Sequence, residues 1–386
     1  MLYAALGEVL TWYDANAGDA TLVRRGALTL PAVVQFAWPH PSRRFLYVAW
    51  SDIVPGSTGG TRHGVSAFAI DAATGALTER GASSPLRTRP IHLTVDGAGT
   101  HVLVAHNDPS SVTVLALRAD GSISSEVLPP APLALGLYAH QVRVDPSDSS
   151  VFVVTRGIAP SASAPERPGA ITVLRYRAGV LTKDRSIAPG GGYGFQSRNI
   201  DFHPTRPWVY LVLERQNALQ LFARRSDGSL PDAPRFSVST LDDSALASAS
   251  QLAAAVAVHP NGRFVYVANR ASSTRDRAGT PVFAGGVNSI AVFALDSSTG
   301  EPTRIANAAT QGFSPRTFAL DARGGLLVAG NSAVINVLDG AEVRTVPASL
   351  AAFHVGADGK LVLAHKYDMD LLPRRTLMWV GLVDLP

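Results

Sequence analysis

An all-β fold, a seven-bladed β-propeller with four-stranded antiparallel blades, is what this 386-residue sequence predicts, on three observations. A hairpin unit recurs along the whole chain, its strands alternate apolar and polar residues, and turn signals separate them throughout. The 34 Gly and 26 Pro, spread from end to end, fit many short strands rather than a few long helices.

The unit is a short apolar strand, an Asp or His turn, and a longer apolar strand with a polar end. It reads "QFAWPHPSRRFLYVAWSD" from Gln35, "IHLTVDGAGTHVLVAHND" from Ile91 and "HQVRVDPSDSSVFVVTRG" from His140. It continues as "RNIDFHPTRPWVYLVLERQN" from Arg198, "AAVAVHPNGRFVYVANRA" from Ala254, "RTFALDARGGLLVAGNS" from Arg316 and "AAFHVGADGKLVLAHKY" from Ala351. A third alternating strand follows most copies, as in "VTVLALR" and "IAVFALD". The N-terminal "LYAALGEVLTWYDA" reads as a second and third strand without a first, so both chain ends are expected to share the seventh blade and close the ring. With "LMWVGLVDL" near the C terminus, the ends hold one strand too many for a tidy closure. The whole of 1–386 is read as one domain.

Composition narrows the function. A hydrophobic fraction of 46% with 17% charge excludes a disordered chain, and the lack of cysteine excludes disulfides, thiolate nucleophiles and thiolate metal sites. No apolar run approaches the roughly 18 residues of a membrane helix. "MLYAALGEVLTWYD" carries Glu8 and no basic start, unlike a secretory signal, so the cytoplasm is expected. The net charge is +4, and arginine supplies nearly all the cations, lysine occurring only at 183, 360 and 366. These arginines are scattered, with no basic run studded with aromatics, which argues against nucleic acid. Their excess over lysine fits either codon bias or guanidinium forks for a carboxylate or phosphate substrate. There is no G-x-S-x-G elbow, H-E-x-x-H pair or phosphate loop, so neither cofactor nor metal is expected.

Register points to a site. In each hairpin the start of the first strand and the end of the second share one sheet edge, which in a propeller is the mouth of the central channel. Five residues before the turn stand Gln35, Ile91, His140, Arg198, Ala254, Arg316 and Ala351. Ser51, Asn107, Arg156, Glu214, Arg270, Asn331 and Lys366 end the second strands. The second set is polar in every copy yet differs from blade to blade, as an asymmetric ligand site requires. His140, Arg198, Glu214 and Arg270 form the sharpest cluster: an acid/base pair with guanidinium forks for an anion. Arg156, Asn107, His92, Arg316, Asn331 and Lys366 are the candidate substrate-binding residues, with His106 and His365 behind them. His203 and His259 occupy the turn where sister copies carry Asp, and are read as turn residues. The longer insertions "VPGSTGGTRHG", "IAPSASAPERPG" and "SSTRDRAGTPVFAGG" follow second strands and are expected at the same rim.

These residues carry a resemblance. "RNIDFHPTRPWVYLVLERQN", "AVHPNGRFVYVANRAS", "AHQVRVDP" and "SPRTFALDARGGLLVAGN" resemble the lactonase seven-bladed β-propeller family from Tyr3 to about Val355. That family includes a bacterial type of 6-phosphogluconolactonase and a fungal carboxymuconate lactonizing enzyme. The resemblance implies a His, an Arg, a Glu and a second Arg as active-site groups, falling on His140, Arg198, Glu214 and Arg270. It implies hydrolysis of a small anionic sugar-acid or dicarboxylic-acid lactone, with lactonising cycloisomerisation and ligand binding without chemistry as the alternatives. Asn199 departs from the phosphogluconolactonase pattern, which tends to have His there.

Overall fold

Seven four-stranded antiparallel blades surround a central channel in the computed structural model, which describes residues 1–53, 59–242, 250–370 and 376–386. The innermost strands are Val33–Pro39, Pro90–Val95, Ala139–Val144, Ser197–Phe202, Leu252–Val258, Phe313–Leu320 and Leu377–Leu382, numbered here as blades one to seven. Each packs against the next and the seventh against the first, closing the ring.

Burial explains the strand sequences. A second strand lies between neighbouring blades on both faces, so Trp208–Leu213, "WVYLVL", is buried along its whole length. Outermost strands meet water, and Val180–Ile187, "VLTKDRSI", buries only Leu181 and Ile187.

Closure occurs as expected in kind but with different strands. Leu377–Leu382 is the innermost strand of blade seven and pairs with Leu2–Leu6, followed by Val9–Asn16 and Thr21–Thr29. The copy from Ala351 is not a seventh hairpin. Ser349–Val355 and Leu361–Asp368 are the third and fourth strands of blade six, separated from its second by an inserted hairpin, Ile335–Asp339 with Glu342–Val346. A similar hairpin, Thr274–Arg277 with Thr280–Phe283, is inserted in blade five, and Asn336 Nδ2 of one hairpin donates to Pro281 O of the other at 3.2 Å. The first rim insertion falls partly on 54–58, outside the described residues.

The repeat also supplies the ties between blades. His40, His203 and His259 place Nε2 2.9 Å from Gly99 O, Gly262 O and Gly324 O in the following blade, a positional role that explains their place in the turn. Tyr3, Tyr47, Tyr210 and Tyr266 donate to Gly75 O, Gly121 O, Gly300 O and Gly359 O of the next blade at 2.7 to 3.0 Å. Gly300 has φ +76°, and a Cβ there would meet the Trp208 ring at 2.8 Å, so the contact needs glycine on both counts. Tyr210→Phe is expected to cost about 1 kcal/mol by leaving a buried carbonyl unpaired, read as a lower urea midpoint at unchanged slope.

Candidate active site at the channel mouth

Every innermost strand carries a β-bulge at its mouth end. Pairing with the second strand skips Gln35, Ile91, His140, Arg198, Ala254 with Ala255, Arg316 and Met378 in blades one to seven. A bulge kinks the strand and re-aims the extra residue. Gln35, Ile91, His140, Arg198, Ala255, Arg316 and Met378 all line one central cavity of about 350 Å³. The bulge thus brings one side chain from each blade to the same level of the channel, and blades three, four and six bring His140, Arg198 and Arg316 there.

Glu214 organises the cluster from the end of the second strand of blade four, where it is 3% exposed. Its Oε1 accepts from Arg198 Nε at 3.0 Å and from Arg270 Nη2, and its Oε2 accepts from Arg156 Nη1 at 2.5 Å. Burial alone would raise its proton affinity, but Arg198, Arg270 and Arg156 outweigh that and hold the carboxyl at about 2. Arg198 turns its Nη1 to Asn199 Oδ1 at 2.6 Å. Arg156 lies over the Tyr138 ring, 4.7 Å from its centroid, and Tyr138 takes φ 60°, rare for a bulky residue, to place that ring.

Arg316 has no hydrogen-bond or ion-pair partner among the described residues. Burial first, and then the nearby charge of Arg270, bring its guanidinium down to about 10, so it stays protonated at neutral pH. His140 is 8% exposed, and its Nδ1 is buried with no partner among the described residues. Burial, then Arg198, Arg156 and Arg316, push its imidazole well below the ordinary range, leaving it neutral.

The other expected residues divide. His92 lies in the channel, and Asn107 lines a second cavity of about 800 Å³, shared with Arg156, Tyr138, Arg167 and Arg215 above blades two and three. Asn331 does not face the mouth. Its Nδ2 donates to Thr310 O at 3.0 Å and Ser349 Oγ at 3.1 Å, the tie that Asn269 makes to Thr240 O in blade five. The residue after it, Ser332, corresponds to Arg270. Lys366 and His365 sit on the outermost strand of blade six, where Lys366 pairs with Asp368 and His365 Nε2 meets Asp19 O at 3.1 Å. Their assignment to the mouth came from treating that strand as a second one. His106 is held between Thr88 O and Thr113 Oγ1, both at 3.1 Å.

Two residues escaped sequence reasoning. Arg89 grips Gln35 Oε1 through Nε at 2.9 Å and Nη2 at 2.7 Å, and it stands one residue before the strand whose start the alignment marked. Met378 is the bulged residue of blade seven, whose hairpin has no second half nearby in the chain. Among the described residues no group of three or more His, Cys, Asp or Glu is arranged to hold a metal ion.

A family model described as lactonase, 7-bladed beta-propeller, matches residues 8–338. The chain belongs to this family. A 6-phosphogluconolactonase of Bacillus subtilis is 29% identical to it over 284 residues, 71% of this chain and 72% of the relative. That of Erwinia tasmaniensis is 26% identical over 368 residues, 94% of this lactonase-family chain and 96% of its own. Among solved structures, the periplasmic gluconolactonase PpgL of Pseudomonas aeruginosa superimposes with a TM-score of 0.71 at 19% identity, covering 100% of both chains. A Lactobacillus plantarum protein does so with 0.70 at 20% identity, covering 96% and 97%. At these identities the structures speak for the fold alone. None of the described helices is long and apolar enough to cross a membrane.

Proposed function

We propose that this family member is a lactonase that hydrolyses a small sugar-acid lactone in the central channel, with the negative charge that develops on the acyl oxygen held by Arg198 and Arg316. The observation that carries the reading is the pairing, in one cavity, of a neutral His140 with a guanidinium, Arg316, that makes no hydrogen bond or ion pair among the described residues. The relatives' names support the reaction class.

The lactone carbonyl oxygen is directed at Arg198 and Arg316. Water attacks the carbonyl carbon, and His140 takes its proton. The tetrahedral oxyanion forms against fixed positive charge in a site sheltered from water, where such charge is most effective. Collapse breaks the ring C–O bond, the imidazolium returns its proton to the leaving hydroxyl oxygen, and the new carboxylic acid ionises against the arginines. Glu214, held at about 2, has too little proton affinity to serve as the base at neutral pH. Its part is to fix Arg156, Arg198 and Arg270 in place.

Acid release in weak buffer tests the reading with gluconolactone, 6-phosphogluconolactone and muconolactone. Release above the spontaneous rate is expected from at least one sugar-acid lactone, and none from any of the three sinks the proposal. Arg316→Ala is expected to lower kcat/KM by about tenfold to a hundredfold, the value of one charge-assisted hydrogen bond to the developing oxyanion.

A further inference from the structure

Beyond the bulges, the channel changes character. His92, 1% exposed, lines the cavity with neither ring nitrogen partnered among the described residues. Its ring lies 4.0 Å from that of Phe36 and 5.8 Å from that of Trp38, and Phe36 is 6.3 Å from Trp379. Phe318 completes an aromatic wall.

Charge at this depth is already spent. Arg143 stacks over Trp38 at 5.0 Å and is tied to Asp201 at 2.9 Å, while the second Asp201 oxygen accepts from Val258 N at 2.8 Å. Gln141 Oε1 is occupied by Ile200 N at 2.6 Å. An unpaired polar group at such burial costs about 1–3 kcal/mol. The two buried, unpartnered nitrogens of His92 therefore mark a place where a ligand hydroxyl that reaches them gains more than it would against a satisfied wall.

We propose that this aromatic-walled stretch is a subsite for the uncharged, hydroxylated far end of the lactone, with His92 as the residue that hydrogen-bonds it. The inference rests on the lactonase reading and narrows its substrate to an unphosphorylated aldonolactone. The C–H face of the sugar ring packs on Phe36, Trp38 and Trp379. A hydroxyl donates to one His92 nitrogen or accepts from the other, since a neutral imidazole offers one of each. A phosphate here would lose its hydration with Arg143 already neutralised by Asp201. Burial, with Arg143 and Arg198 near, keeps His92 uncharged.

The experiment compares gluconolactone with 6-phosphogluconolactone in the wild type, His92→Phe and His92→Gln, and adds calorimetric titration of each protein with gluconate. His92→Phe keeps the ring stack and forfeits no hydrogen bond among the described residues, so it is expected to fold, and circular dichroism verifies this. Gluconolactone is expected to be preferred by about tenfold or more in kcat/KM. His92→Phe is expected to lose about tenfold on it, carried by KM with kcat nearly unchanged, and His92→Gln to recover part of the loss. Gluconate is expected to bind His92→Phe about tenfold more weakly than the wild type. Equal or better turnover of the phosphorylated lactone, with His92→Phe like wild type, overturns the subsite and leaves the lactonase reading standing. Gluconate binding that depends on His92, with no lactone turned over, keeps the subsite and overturns hydrolysis. Neither turnover nor gluconate binding overturns both.

Discussion

His140→Ala is expected to lower kcat/KM for the best lactone by about 10²–10⁴-fold, the usual contribution of a positioned general base, with little change in melting temperature. The stability side follows from geometry: Nδ1 has no partner among the described residues, so truncation breaks no hydrogen bond there. The pH profile makes the assignment specific. A base works unprotonated, so activity is present above its pKa and lost below it. Burial, Arg198, Arg156 and Arg316 all press the His140 imidazole down. The acid limb of kcat/KM should therefore lie below pH 6.5, with a plateau through neutrality, and it should vanish in the residual activity of His140→Ala. Were Glu214 the base, the limb would fall near its own value of about 2, and His140→Ala would keep most of its rate. A single pH series on two proteins separates the cases.

Much of this site was legible because a propeller repeats its register. His140, Arg198 and Arg316 stand five residues before the turn, and the structure puts a bulge at each of them. The bulge itself left no mark in the sequence, since residues as different as Gln35, Ile91 and Arg198 occupy it. Two errors have identifiable causes. The copy from Ala351 starts 35 residues after the one from Arg316, where the other starts are 49 to 62 apart, too little chain for a four-stranded blade. That shortfall was the signal that it belonged to blade six, and Lys366 went astray with it. Asn331 was misplaced by one residue: counting from the turn, Asp321 to Asn331 is one step shorter than His259 to Arg270. Pairing of Asn331 with Ser349, like that of Asn269 with Ser289, shows the true correspondence. Arg89 was out of reach for another reason. Its role depends on a contact between blades, and contacts of that kind have no period in the chain.

The largest stability effect is expected at Glu214. Glu214→Gln should destabilise the fold by roughly 3–5 kcal/mol at pH 7, because it leaves Arg156, Arg198 and Arg270 crowded around a group with no charge to offer. The pH dependence follows from the depressed pKa. The carboxyl is held at about 2 in the folded protein against an ordinary 4.5, so its stabilisation is complete above 4.5 and is lost as pH falls towards 2. That depression corresponds to about 3 kcal/mol, in line with the mutational figure. Other carboxylates such as Asp96 and Asp145 are depressed too, so wild-type acid unfolding alone would not isolate the effect. The difference between wild type and Glu214→Gln does isolate it: urea unfolding at pH 7, 4 and 3 should show the gap narrowing as the medium acidifies. A gap below about 1 kcal/mol at pH 7, or one that ignores pH, would mean that the carboxylate does not hold the arginines together. Adding Arg156→Gln to the variant should recover part of the loss, since it removes one of three like charges from a buried cluster. A fall in turnover in Glu214→Gln then reports the scattering of three guanidinium groups as much as any proton transfer, and the identity of the base has to be read from His140.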